Sequence, residues 1–396
     1  MTEIDKIAKT VFGIEHLRPL QEQVIELGLK RDVLAVLHTG YGKSLTFQIP
    51  ALMRSGMTVV VSPLISLMTD QVFQSRRKGV AAEYLSSTMP VDEIKRVLDL
   101  VAANAIKLLY VAPERFVSDR FVKMMREWKI SAVVVDEAHC VVHDSGGEYR
   151  PDYLRIGDIA RSFYIPISAY TATATADTQN EIIKRLHLQN VKVVVGPRDR
   201  KNLFYSVIAR ERDGTQQMVD YIDTPAIVYR STRSETERTA TSLQMAGLKA
   251  VPYHAGMASD LRTQNQTMFF NNDIDVIVAT TAFGLGIDKP DIRTVIHADL
   301  PKSLDAYAQE CGRAGRDGKP AKCILLYSPG SIPVTRRMVT GVEDTGRRER
   351  AMEMFKHMIQ YAARKSCRRR MLLKYFGDEH EGSCEMCDVC GNGIGT

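Results

Sequence analysis

No stretch of this 396-residue chain is apolar for the length a membrane-spanning helix needs, and charged residues stand near the start where a secretory leader would be apolar. A span and a leader are therefore not expected, and the cytosol is the expected location, as a nucleoid-associated protein in a bacterium, or the nucleus in a eukaryote. Low-complexity segments are absent, and no sequence repeat relates the two halves, so any kinship between them is of architecture only. Tryptophan occurs once, at Trp128, where it is expected to pack a helix onto a sheet. The seven cysteines do not make a disulfide framework. Cys140, Cys311 and Cys323 are scattered, whereas Cys367, Cys384, Cys387 and Cys390 cluster near the end, which in a cytosolic-looking chain reads as a metal site.

What is present fits two or three domains, each with a core of its own. Hydrophobic residues make up 44% and charged residues 25%, ordinary values for a globular protein. The net charge of +6 is unevenly spread: Val334 to Lys374 holds twelve Lys+Arg against four Asp+Glu, and Tyr375 to Thr396 holds five acidic residues and no Lys or Arg. The basic segment is either a phosphate-binding surface or a solvated helix face. The first half alternates short β-branched runs with helical stretches. Strands are expected at Val33–Leu37, Thr58–Ser62, Lys107–Val111, Ala132–Val135, Ile165–Ala169 and Lys192–Val195. Helical spacing covers Ser44–Arg54 and Val91–Ala103. Such alternation predicts a parallel sheet with helices on both faces. Gly196-Pro197-Arg198-Asp199-Arg200 is an expected hinge, followed by strands at Ala226–Tyr229, Ala250–Tyr253, Val276–Ala279, Thr294–His297 and Cys323–Tyr327. The boundaries expected are 1–198, 199–332 and 333–396.

Three separated stretches carry chemistry. Thr39-Gly40-Tyr41-Gly42-Lys43-Ser44 follows an expected strand and opens an expected helix, the context of a phosphate loop. Glycine lets backbone N–H groups approach phosphate, Lys43 adds a point charge and the Ser44 hydroxyl can bind Mg²⁺. The full pattern has glycine where Leu37 stands, so the motif is partial. Val133-Val134-Val135 runs into Asp136-Glu137-Ala138-His139, placing two carboxylates at the carboxyl end of a strand. Asp136 would hold magnesium and Glu137 would orient or activate a water. Gln309 to Arg316 carries Arg313 and Arg316 three apart, either as arginine fingers for a γ-phosphate or as a surface salt-bridge patch. A nucleotide held between two domains is the expectation. The four cysteines suit a closed tetrahedral zinc site, with iron–sulfur as the alternative, and zinc would be structural there.

With these motifs in order, the chain resembles the RecQ family of superfamily 2 DNA helicases nearly end to end. Phe12-Gly13 with Leu17 to Gln21 is similar to the family's adenine motif, which implies that Gln21 reads the adenine edge with support from Arg18. Thr39–Ser44 matches motif I. Ser62 to Met68 and Ala112 to Arg115 resemble motifs Ia and Ib, which implies DNA backbone contact, with Ser66 the candidate residue. Asp136–His139 matches the DEAH form of motif II, and Thr171 to Ala174 resembles motif III. Tyr253 to Met257 and Ala279 to Pro290, with Asp288 at the nucleotide, resemble motifs IVa and V. Gln309 to Arg316 matches motif VI, with Arg316 the finger and Arg313 a second γ-phosphate contact. Cys367-Arg368-Arg369-Arg370 with the later cysteines is similar to the family's zinc domain, and Arg368 and Arg369 are taken as DNA contacts. The resemblance implies an α/β fold of two RecA-like parallel-sheet domains with helices on both faces, then a small helical zinc-binding domain.

It also implies an ATP-dependent, 3′-to-5′ DNA helicase of repair and recombination, using ATP, Mg²⁺ and Zn²⁺ on single-stranded and tailed or forked duplex DNA. Two departures stand out. The stretch from Cys140 to Pro151 keeps the family's ending, Tyr149-Arg150-Pro151, both Tyr149 and Arg150 being candidate DNA contacts, but has no tryptophan. Base–aromatic stacking contributes about 1–3 kcal/mol per base, so coupling of DNA to hydrolysis is expected to be weakened or rerouted. The sequence ends after the zinc cysteines, with no winged-helix or HRDC segment. These departures leave a second reading, a DNA-binding or strand-annealing ATPase with weak unwinding. A DEAH-type RNA helicase would share the nucleotide motifs but not the four-cysteine tail.

Overall fold

The computed structural model describes residues 2–38, 40–142, 151–211, 214–281, 283, 289–341 and 344–391. Its backbone divides into two compact units, Met1–Pro197 and Arg198–Thr396. The first is built on a seven-stranded, wholly parallel sheet: β1 (Val33–Val36), β2 (Met57–Val61), β3 (Ala82–Leu85), β4 (Leu108–Val111), β5 (Ile130–Val135), β6 (Ile167–Thr171) and β7 (Lys192–Val195). Their spatial order is β3-β4-β2-β5-β6-β1-β7. The central strands β1, β2, β4 and β6 are buried along their whole length, the burial that a parallel sheet covered on both faces imposes. One apolar core lies on each face. Leu34, Val59, Leu109 and Val133 belong to one, Val33, Val60, Leu108 and Val134 to the other, as the two-residue period of a strand requires. Trp128 is half-buried against the first of these and meets Phe121 edge-on at 5.6 Å.

The second unit holds a six-stranded parallel sheet of β8 (Leu203–Ala209), β9 (Ala226–Tyr229), β10 (Ala250–Tyr253), β11 (Val276–Ala279), β12 (Thr294–His297) and β13 (Ala321–Tyr327), ordered β10-β11-β9-β12-β13-β8. Three helices follow, Ser331–Thr340, Thr345–Ala363 and Arg368–Tyr375. They do not form a core of their own. Phe355, Met358, Tyr361, Leu372, Phe376 and Cys387 join Tyr205 and Ile277 of the sheet and Tyr307 of helix Leu304–Cys311 in one apolar cluster.

The α/β expectation holds, and four of the second-sheet strands have the expected bounds. Two strands, β3 and β8, were not anticipated. Both are edge strands. β3 reads Ala-Glu-Tyr-Leu, and its Glu83 is held by Arg96 at 2.9 Å and by Arg76. β3 carries no continuous apolar run, as an edge strand need not, whereas β8 reads Leu-Phe-Tyr-Ser-Val-Ile-Ala and does carry that signal. β6 begins two residues later than expected, just past Pro166, which cannot donate to a ladder, and so extends to Thr171.

Candidate functional site

In the first unit the nucleotide motifs meet at the carboxyl end of the sheet. β1 feeds a loop in which Gly40 and Gly42 take φ values of 84° and 86°, a region that only glycine occupies freely. Gly42 then caps helix Lys43–Met53, which has no side-chain cap, so its first N–H groups are available to an anion. Lys43 and Ser44 open this helix.

A second element grips the loop. Helix Pro19–Lys30 starts at Arg18, whose N–H donates to Gln21 Oε1 at 2.9 Å. Gln21 Nε2 in turn donates to the Tyr41 carbonyl at 2.9 Å, and Arg18 Nη1 reaches the same carbonyl at 3.3 Å. A Cβ on residue 42 would lie 2.5 Å from Gln21 Nε2, so the close approach requires glycine. The sequence brought Gln21 and Arg18 to the nucleotide, but not to the phosphate loop itself.

β5 ends at Val135 and delivers Asp136 and Glu137 beside Lys43. Glu137 adopts φ 47° and ψ 48°, a left-handed conformation that costs a non-glycine residue about 1–2 kcal/mol. Its own N–H donates to Asp136 Oδ1 at 2.9 Å. Glu137 Oε1 lies 3.5 Å from Lys43 Nζ, and its Oε2 lies 3.4 Å from His139 Nδ1. His139 Nδ1 is also 3.0 Å from Thr171 Oγ1, whose hydroxyl donates to the Thr173 carbonyl at 3.1 Å. Burial, then the neighbouring Glu137 charge, pushes the Asp136 carboxyl up to about 6, with Lys43 opposing. A divalent cation would reverse this, and Asp136 with the Ser44 hydroxyl offers the hard oxygen donors that Mg²⁺ takes.

In the second unit Gln309 lies on helix Leu304–Cys311, with Arg313 and Arg316 just beyond it. Glu310, next to Gln309, is fixed to His297 by a buried 2.7 Å contact. Arg313 is 3% exposed and lies against the Tyr229 hydroxyl, while Arg316 is half-buried, so the two arginines differ in environment. The Tyr229 hydroxyl donates to the Phe283 carbonyl at 2.9 Å. Tyr229 and His297 carried no motif that reading along the chain would have found.

The sulfurs of Cys367, Cys384, Cys387 and Cys390 lie within 4.8 Å of one another. Four thiolates around zinc, with Zn–S about 2.3 Å, stand about 3.8 Å apart, so the set fits one tetrahedral ion. Cys367 also precedes helix Arg368–Tyr375 and accepts from Arg370 N–H at 3.4 Å, while burial pushes its thiol up despite that bond. The cysteine loop docks on the β8 edge, where Tyr205 N–H donates to the Met386 carbonyl at 3.1 Å and Asp388 N–H to the Tyr205 carbonyl at 3.0 Å.

Arg368 and Arg369 require a correction, because they do not present a face to DNA. They are 4% and 3% exposed. Arg368 makes a two-point contact with Asp388 at 2.9 and 3.1 Å and donates to the Tyr361 carbonyl at 2.7 Å. Arg369 pairs with Asp199 and donates to the Leu203 carbonyl at 2.8 Å. Arg369 staples the cysteine helix to the start of β8, and Arg368 staples it to the cysteine loop and the preceding helix. Ser66 sits in the first turn of helix Ile65–Arg77. Thr39, Tyr149, Arg150 and Asp288 lie outside the described residues.

The chain matches three family models: DEAD/DEAH box helicase over residues 18–182, helicase conserved C-terminal domain over 215–318, and RecQ zinc-binding over 331–391. It is 38% identical, over 97% of its length, to an ATP-dependent DNA helicase RecQ of Haemophilus influenzae, and 38% identical, over 96%, to one of Bacillus subtilis. The chain spans 63% and 65% of the lengths of these two relatives. A RecQ-like DNA helicase of Caenorhabditis elegans, blm-1, is 38% identical over 98% of the chain, which spans 42% of that relative. Among solved structures, the Mycobacterium smegmatis helicase Lhr bound to single-stranded DNA and AMP-PNP shares the fold, with a TM-score of 0.66 at 20% identity over 86% of this chain and 50% of that one. Dbp5 of S. cerevisiae bound to RNA and ADP BeF3 does so at a TM-score of 0.65 and 17% identity, over 96% and 92%.

Proposed function

This chain belongs to the RecQ helicase family, and from that premise we propose that it is an ATP-dependent DNA helicase moving 3′ to 5′ on single-stranded DNA and separating tailed or forked duplexes. The observation that carries the reading is the joined set Gln21, Gly42, Lys43, Asp136, Glu137 and His139 at one sheet edge. In it Gly40, Gly42 and Lys43 receive the phosphates, Thr39 and Ser44 contribute hydroxyls, and Arg18 and Gln21 meet the adenine. Magnesium, held by Ser44 and Asp136, would draw charge from the phosphates when bound. Glu137 holds and deprotonates the attacking water, with its carboxylate kept in place by His139 and Lys43. For the second unit we keep the motif readings, Gln309, Arg313 and Arg316 as motif VI with Arg316 the arginine finger, and Asp288 as part of motif V.

On the DNA side the candidates are Ser66, Tyr149 and Arg150. Zinc on the four cysteines is structural. We read 1–198, 199–332 and 333–396 as the functional divisions. The relatives described above are named DNA helicases, which favours unwinding over an annealing ATPase, and DNA repair or recombination as the setting. No helix of the described residues is long and apolar enough to cross a membrane, and we place the protein with its DNA, in a nucleoid or nucleus. Lys43→Ala should lower ATP turnover by about 10³-fold or more, since the phosphate cradle loses its charge. Turnover in the variant within tenfold of the unaltered chain would refute this site.

A further inference from the structure

Tyr41 occupies the middle of the phosphate loop, yet it is only 9% exposed and belongs to the apolar core behind the loop. Its ring is held from two sides. The Arg18 guanidinium sits 5.0 Å over its centroid, and the His38 ring meets it at 5.2 Å and 90°. Its N–H donates to the His38 carbonyl at 3.1 Å. The Tyr41 carbonyl, so placed, accepts from Gln21 Nε2 at 2.9 Å and from Arg18 Nη1 at 3.3 Å. At its other end the Gln21 amide accepts from Arg18 N–H at 2.9 Å.

An amide has two N–H groups and two carbonyl lone pairs. In Gln21 one of each is committed to these bonds, which leaves one donor and one acceptor for a ligand. The amide cannot turn over, because its oxygen would then face the Tyr41 carbonyl. That fixes which side donates. Adenine offers an N7 acceptor beside an N6 amino donor and matches the pair, whereas guanine presents two acceptors, N7 and O6.

We infer that Tyr41 is a specificity-determining positioning residue: its buried ring fixes the carbonyl that orients Gln21, and so couples choice of the purine base to the phosphate loop. This rests on the nucleotide site proposed above. Gly42 serves the same coupling, since any side chain there would displace Gln21. Tyr41 itself need not touch the nucleotide.

The test compares ATP and GTP hydrolysis, as kcat and KM separately, for the unaltered chain, Tyr41→Ala and Tyr41→Phe, with melting curves to establish folding. With the ring gone the Gln21 amide is free to turn, and the ATP-over-GTP ratio of kcat/KM should fall by about tenfold or more, chiefly through a higher KM for ATP. Tyr41→Phe keeps the ring and should restore the ratio. A folded Tyr41→Ala that keeps the ratio, or a Tyr41→Phe that loses it as Tyr41→Ala does, would overturn the inference. No hydrolysis by the unaltered chain would instead overturn the nucleotide-site reading, and this one with it. If Tyr41→Ala does not fold, Gln21→Glu replaces it. That change removes the donor, and an unchanged ratio there would also overturn the inference.

Discussion

At the residue scale the site is a set of paired groups, each restricting its neighbour. Thr171 is the clearest case. Its hydroxyl lies 3.1 Å from the Thr173 carbonyl and 3.0 Å from His139 Nδ1, and that nitrogen faces Glu137 at 3.4 Å. Thr171→Val removes the hydroxyl while keeping the shape. We expect kcat for ATP to fall about tenfold, within the cost of losing one buried hydrogen bond, with KM for ATP little changed. Steady-state kinetics check this, and a rise in KM alone would place Thr171 in binding instead. Lys43, Asp136 and Glu137 were legible from the sequence because each motif has a fixed place after a strand. The partners that hold the motifs were not. Thr171 was seen only as part of motif III, and Tyr229 and His297 lie in strands whose composition announces burial and nothing more.

At the element scale, burial decides what a charge does. Arg368 and Arg369 stand in a strongly basic segment, and the likeness to the family's zinc domain pointed them to DNA. Their partners, Asp388 and Asp199, are distant in sequence, and Asp388 is hidden inside the cysteine spacing. Breaking a buried ion pair by removing one partner costs about 3–5 kcal/mol. Arg368→Met should therefore lower the melting temperature and loosen zinc retention, measured by metal content after dialysis against a chelator. Unchanged melting and full zinc retention would remove the staple role. The central strands, by contrast, were legible because a parallel sheet buried on both faces demands continuous β-branched runs. The edge strand β3 escaped because an edge makes no such demand, whereas β8, Leu203–Ala209, has a largely apolar run and was legible in principle.

At the scale of the whole molecule, the chain places its nucleotide motifs on two compact α/β units and fuses the cysteine helices to the core of the second. A zinc segment that shares a core with a sheet transmits its order to that sheet, which is a structural role for the metal rather than a chemical one. We propose that ATP turnover at the Lys43–Glu137 centre moves the chain along DNA in one direction. Strand separation measured on matched 3′-tailed and 5′-tailed duplexes, with ATP and Mg²⁺ present, tests it most directly. The account predicts unwinding of the 3′-tailed duplex that disappears in Glu137→Gln. Unwinding of the 5′-tailed duplex alone, or separation that persists undiminished in Glu137→Gln, would contradict it.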